Sequence, residues 1–174
     1  MTILLRLKQY CSKALAGEAA ISEENIEYFG ELCKQAIRKQ FTPRDKEFKI
    51  RMSQIGKDIR EQQGELLNLP KDEEMEYNLI LKFLFGDLTE AMVMTLLKAS
   101  GVQIEEEQKA VKLDIAGIEL EGTYDVKINN KIYDIKSCSP YAFSNKFERG
   151  FADVERLDSF GYTTQLYLYS QADK

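Results

Sequence analysis

Two adjacent asparagines, Asn129-Asn130, set between runs of strand-forming residues, constrain this chain more than any other feature. Asparagine tolerates positive φ better than most residues, so the pair suits the two-residue primed turn of a tight hairpin. Such a turn sets the register, with Val126 facing Tyr133 and Asp125 facing Asp134. Side chains alternate along a strand, so Asp125, Asp134 and Lys136 share one face. Tyr124, Val126, Tyr133 and Ile135 share the other, which is the expected core face. The polar face then holds two carboxylates with Cβ atoms about 4.5–5.5 Å apart and a lysine alongside. Like charges directly opposed destabilise a sheet unless something cationic sits between them. A divalent metal is the obvious candidate.

An acidic-x-Lys triplet is cheap on its own. About one is expected by chance in a chain of this length, and this one has four: at Glu47, Glu107, Asp125 and Asp134. What distinguishes Asp134-x-Lys136 is its setting in the β-rich run Lys131-Ile-Tyr-Asp-Ile-Lys-Ser137, opposite Asp125, with Gly122 three residues before that acid. The plain alternative is a solvated hairpin face carrying scattered charges.

Residue usage narrows the chemistry. Three cysteines (Cys11, Cys33, Cys138) lie far apart and there is no histidine. That spacing excludes familiar zinc and iron–sulfur sites and argues against a disulfide framework, as expected of a cytoplasmic protein. Without histidine, Ser-His and Cys-His catalysis are excluded. Acid–base work falls to carboxylates, lysine, tyrosine or metal-bound water. No apolar run approaches 18 residues, so no transmembrane helix is expected. The start, Met1-Thr-Ile-Leu-Leu-Arg-Leu-Lys8, meets charge too early for a signal peptide. A length of 174 residues fits a single domain with a real core.

In order, the spacing predicts a helix over 3–16 ended by Gly17. A second helix is capped by Ser22, with Glu23 and Glu24 in its favourable first turn. Ile26, Phe29, Leu32, Cys33, Ala36 and Ile37 mark its apolar face as far as Phe41, and core packing is the expected use of both helices. Residues 34–60 then hold nine basic against three acidic side chains, in a chain whose net charge is −5. Such a stretch suits a phosphate backbone, although a solvated helix face is the commoner reason for a charge run. Within it, Ser53, Gly56, Lys57 and Arg60 gather near an expected helix start, where an anion can be held. Pro70 marks a loop. The longest helical signal covers about 73–100 and stops at Gly101. Glu90 falls there among Ala91, Met92 and Val93, where an unpaired acid is costly unless the position is simply exposed. A polar turn is expected over 105–108, strands over 111–116 and 118–128, and a helix opening at Ser139-Pro140. A last helix over 162–172 carries Gln165 and Tyr169 one turn apart on one side.

The ordered set Gly86-x3-Glu90, Gly122-x2-Asp125, Asp134-x-Lys136 and Gln165-x3-Tyr169 resembles the PD-(D/E)xK nuclease superfamily, in its RecB-like branch. The phrases Phe85-Gly-Asp-Leu-Thr-Glu90, Tyr133-Asp-Ile-Lys-Ser137 and Asp158-Ser-Phe-Gly-Tyr162 are most similar to its phage-type exonucleases. The resemblance covers about residues 50–172. It implies an α/β fold, a restriction-endonuclease-like core with a mixed central sheet flanked by helices. Residues 49–174 would form that core and 1–48 a helical extension, together a single nuclease domain. Several relatives place a histidine near the Glu90 position, and iron–sulfur relatives carry four cysteines. Neither feature occurs here, so no iron–sulfur cluster is expected. The family usually continues with one or two strands beyond the Gln-x3-Tyr helix, so a shortened member or a fragment is expected.

The resemblance further implies Mg²⁺ or Mn²⁺, with Asp125 and Asp134 as primary ligands and the Ile135 carbonyl and Glu90 completing the set. Metal ions of this kind acidify water and compensate charge on a phosphate. Lys136 would orient or deprotonate the water, or neutralise developing charge. Gln165 and Tyr169 would contact DNA near the cut, with Ser53, Lys57 and Arg60 along its path. A phage-type exonuclease would act in the host cytoplasm, in DNA recombination, repair or degradation, with a recombination or annealing protein as a partner. The competing readings are a non-catalytic DNA-binding module on the same fold and a purely structural scaffold.

Overall fold

The computed structural model describes residues 2–43, 49–56, 58–67, 69, 77–148, 150–158 and 160–174. The chain is mixed α/β, with seven α-helices and a three-stranded antiparallel sheet among the described residues. It divides into two units, each assembled from separate stretches of sequence. Met1–Arg44, Met75–Glu105 and Ile135–Ser137 form the first, and the remaining residues form the second.

The first unit is helical: α1 (Ile3–Leu15), α2 (Glu23–Phe41) and α4 (Tyr77–Ala99). Thr2 and Ser22 cap α1 and α2 through side-chain oxygens that accept from Leu5 N and Asn25 N, each at 3.3 Å. Both α1 and α2 pack on α4. On α2 the inward face is carried by Ala36, which is buried, and by Tyr28, whose ring receives the Lys98 ammonium at 3.6 Å. Lys39 and Gln40 both reach the Asp87 carboxylate at 2.5 Å. The expected core face of α2 is therefore only partly right: Ile26, Phe29, Ile37 and Phe41 are exposed. The packed stripe lies a quarter-turn away, because polar Tyr28, Lys39 and Gln40 find partners on α4. The first residues of the helix expected over 73–100 lie outside the described residues, and Gly101 at φ 73° ends it.

The second unit is built on β1 (Glu106–Ile115), β2 (Ile118–Ile128) and β3 (Lys131–Tyr133), in that order. Ala116-Gly117 and Asn129-Asn130 join them with both residues of each turn at positive φ, as primed hairpin turns require. A single turn of 3₁₀-helix at Met52–Gln54 precedes α3 (Ile59–Leu66), and α5 (Pro140–Ala142), a π turn (Phe143–Phe147), α6 (Phe151–Arg156) and α7 (Tyr162–Ala172) follow the sheet. The sheet lays Val111, Leu120 and Tyr124 against Met52 of the 3₁₀ turn and Leu168 and Tyr169 of α7. Tyr124 and Tyr169 meet edge-to-face with ring centroids 6.2 Å apart, a geometry worth about 0.5–1.5 kcal/mol beyond the area buried. Strand β1 begins at Glu106, so residues 106–108 of the polar turn expected over 105–108 are instead strand. Glu106 there finds partners on β2, Tyr124 and Lys127, which a turn reading overlooks. The three strands are antiparallel; a parallel pairing enters at the isolated bridge Arg51↔Glu121, tied by Glu121 N to Ile50 O at 3.0 Å.

Candidate functional site

The distal hairpin has the register that Asn129-Asn130 predicts. Val126 pairs with Tyr133, Lys127 with Ile132 and Ile128 with Lys131, with φ 50° and 57° at the two asparagines. Strand β3 ends at Tyr133, so Asp134 stands one residue beyond the last ladder pair, next in register to Asp125. The expected division of faces holds only in part. Tyr124 and Val126 are buried as expected, but so is Asp125, at 9% exposure, while Tyr133 is exposed and Ile135 half-buried. Four of five consecutive residues, Tyr124, Asp125, Val126 and Ile128, are buried. A strand enclosed on both faces no longer separates an apolar face from a wet one. The register continues unchanged past Gln108, which takes φ 45° between the pairs Glu107↔Val126 and Lys109↔Tyr124.

The sequence-predicted site residues fall in both units. Asp125, Asp134, Gln165 and Tyr169 belong to the second; Glu90, Ile135 and Lys136 belong to the first. Within the first unit, a Cβ on Gly86 would lie 3.7 Å from Ser137 Oγ, so the segment 135–137 passes the Gly86 turn of α4. Glu90 lies one turn further along the same side of α4 and is half-buried. Lys136 is exposed, and Asp134 half-buried. Among the described residues no group of three or more Asp, Glu or Cys side chains is arranged to hold a metal ion. Asp125 and Asp134 are the two carboxylates that stand next in line after the Val126↔Tyr133 pair. Mg²⁺ commonly uses one or two carboxylates and keeps several waters, so an all-oxygen donor set of this size fits it.

A charged cluster that the sequence reading missed lies on the same distal half of β2. Asp173, at the end of α7, is nearly inaccessible and accepts from Lys109 Nζ at 2.8 Å and Lys127 Nζ at 2.6 Å. The Tyr124 hydroxyl donates to Glu106 and, at 3.2 Å, to Asp173. Hydrogen bonds from the two lysines hold the Asp173 carboxyl down at about 2. Lys109 is held well above the ordinary lysine range by Asp173 and Glu106, and Lys127 is raised by Asp173. Burial, then the Glu106 carboxylate, pushes the Tyr124 hydroxyl up, so it stays protonated. These residues are 64 and 46 positions from Asp173 in sequence, and no local spacing signals their meeting.

The Gln-x3-Tyr pair is part of the packing. Gln165 Nε2 donates to Tyr169 Oη at 2.6 Å, and both side chains are buried. A Cβ on Gly122 would come 2.5 Å from Tyr169 Cε1 and 3.0 Å from Met52 Sδ. Glycine at 122 is therefore what lets the Tyr169 ring lie against β2, which gives a physical reason for finding the Gly122 and Tyr169 motifs in one chain. Asp158 serves α7 in place of a capping side chain at Gly161, accepting from Thr163 N at 2.9 Å and Thr163 Oγ1 at 3.2 Å. Burial pulls its carboxyl up, but the amides of Thr163 and Tyr162 outweigh that and hold it below the usual range.

The basic stretch is partly absorbed by the fold. Lys34 pairs with Glu31, Lys39 with Asp87 and Lys49 with Glu121. Met52 is fully buried, with Ile50 and Ile55 packed beside it, so the stretch read as an anion site also supplies core. Ser53 and Arg60 are exposed, and Lys57 lies outside the described residues. Asp58 caps α3, its carboxylate accepting from Arg60 N at 2.7 Å. The helix N-terminus expected to hold an external anion is thus already occupied by the chain's own acid. No protein-family model, curated protein or solved structure matches this chain.

Proposed function

We propose that the chain is a divalent-metal-dependent DNA nuclease of exonuclease type, built on a restriction-endonuclease-like core. What carries the reading is the hairpin register, with Val126↔Tyr133 as the last ladder pair and Asp125 and Asp134 next in line. Asp125 and Asp134 would hold Mg²⁺ or Mn²⁺, which when bound supplies an acidified water and charge compensation at the scissile phosphate.

The chain's own residues do the rest. Lys136, exposed on the segment leaving β3, orients the attacking water or neutralises charge that develops on the phosphate. Ser53 and Arg60, also exposed, contact the DNA backbone. Gln165 and Tyr169 are buried and bonded to each other, so they act by holding β2 in place rather than by reaching DNA. The test is degradation of end-labelled linear DNA in Mg²⁺ or Mn²⁺, with a chelator as control. Metal-dependent shortening of the label supports the proposal. Binding without cleavage would favour a non-catalytic DNA-binding module, and neither would leave a scaffold.

A further inference from the structure

On α2, a quarter-turn from the stripe that packs on α4, lie Ile26 (44% exposed), Phe29 (36%), Ile37 (51%) and Phe41 (59%), with Cys33 half-buried among them. Their spacing of three, four, four and four residues makes one continuous stripe along a helix. It spans about 24 Å at 1.5 Å per residue. Scattered exposed apolar side chains need no explanation, but a contiguous stripe of large ones marks a contact surface. The charges that border this stripe are sorted by position. The first half of the helix carries Glu23, Glu27 and Glu31; the second half carries Lys34 and Arg38.

We propose that this face of α2 docks against the same face of α2 in a second copy of the chain, antiparallel, about a two-fold axis near Cys33. A two-fold contact places the same patch on both partners. Here it sets Phe29 against Ile37 and Ile26 against Phe41 of the second copy, with Cys33 opposite Cys33. In an antiparallel pair the same flank of each helix meets its counterpart in reverse order. The acidic first half therefore faces the basic second half, with Glu27 toward Arg38 and Glu31 toward Lys34. A parallel pairing would turn this flank toward the other flank of the partner helix, and the acidic and basic halves would not meet. Charge sorting of this kind selects partner and orientation more than it adds affinity. The Glu31–Lys34 pair within one helix (2.7 Å, both side chains more than half exposed) is compatible with this, since each group retains room for a second partner.

The test combines sedimentation with cross-linking in a Cys11→Ser/Cys138→Ser background, which leaves Cys33 as the sole thiol. A dimer at concentrations up to about 100 µM, joined covalently through Cys33 under mild copper-phenanthroline oxidation in air, is the expected result. Phe29→Glu/Ile37→Glu changes only exposed positions, so helicity by circular dichroism should persist while the dimer weakens roughly 100-fold. Glu27→Lys/Glu31→Lys alone and Lys34→Glu/Arg38→Glu alone should each weaken self-association roughly tenfold, and mixing the two variants should restore a heterodimer. A monomer throughout that range overturns the proposal. So does a dimer that survives Phe29→Glu/Ile37→Glu, fails to cross-link at Cys33, or gains nothing from mixing the charge-reversed variants.

Discussion

The two ends of β2 treat charge in opposite ways. At the Ile118 end the strand is half-solvated, and Lys112 pairs with Glu119 at 2.8 Å and Glu121 at 3.1 Å on the surface. At the Ile128 end consecutive residues are buried, and Lys127, Tyr124 and Asp173 share hydrogen bonds away from water. The same residue types are interchangeable at the first end and consequential at the second. Exposed pairs gain little because water screens and competes, whereas a buried group whose partner is removed bears its full desolvation cost. The candidate metal ligand Asp125 sits at the consequential end.

The contrast can be broken at the strand's midpoint, where the largest effect is expected. Gly122→Ala forces a methyl into the Tyr169 ring and Met52, both of which are buried in the core. Overpacking of this kind costs up to about 3 kcal/mol, read as a lower denaturant midpoint with an unchanged slope. On the proposed metal site, Mg²⁺ binding at the distal hairpin should weaken with it.

The contrast is sharpened by a matched pair of charge removals. Asp173→Asn should cost about 2 kcal/mol, because two lysines and a tyrosine lose an ionised acceptor. Lys112→Ala should leave the unfolding midpoint unchanged. Acid titration separates the two further. The Asp173 carboxyl is held at about 2 when folded, against an ordinary 3.8. A depressed carboxyl stabilises the fold above the unfolded value and loses that contribution as pH falls through the folded one. Stability should therefore drop between about pH 4 and pH 2 in the wild type, and the drop should be shallower in Asp173→Asn. A smaller effect, about 1 kcal/mol, is expected from Asn130→Val, since a β-branched residue resists φ 57°. Asn130→Gly should be neutral. An equal response to both would mean that the turn does not set the register.

The distal hairpin was legible because two asparagines at positive φ and an alternating strand specify register locally. The limits of β2 and α7, and the caps at Ser22 and Ser139, were legible for the same reason: each depends on residues within one turn. Met52 was not. Its neighbours Arg51, Ser53 and Lys57 suggested a phosphate site, while its burial depends on α7, more than a hundred residues later. Asp173 was missed for the same cause, its lysines being distant in sequence. On α2 the periodicity correctly gave a helix but misplaced part of its buried face, because the contacts of Tyr28, Lys39 and Gln40 are made to α4, far away in sequence. Of the candidate site, the register of the hairpin up to Val126 and Tyr133 was readable. The burial of Gln165 and Tyr169 required the fold.

Cleavage by Lys136→Ala tests the nuclease account most directly. The variant should melt like the wild type and bind Mg²⁺ and linear DNA nearly normally. It should nevertheless degrade end-labelled DNA at least about 100-fold more slowly, the range in which a positioned acid–base or charge-stabilising group contributes. Near-wild-type cleavage by a folded Lys136→Ala protein, or no metal-dependent cleavage by the wild type, would contradict it.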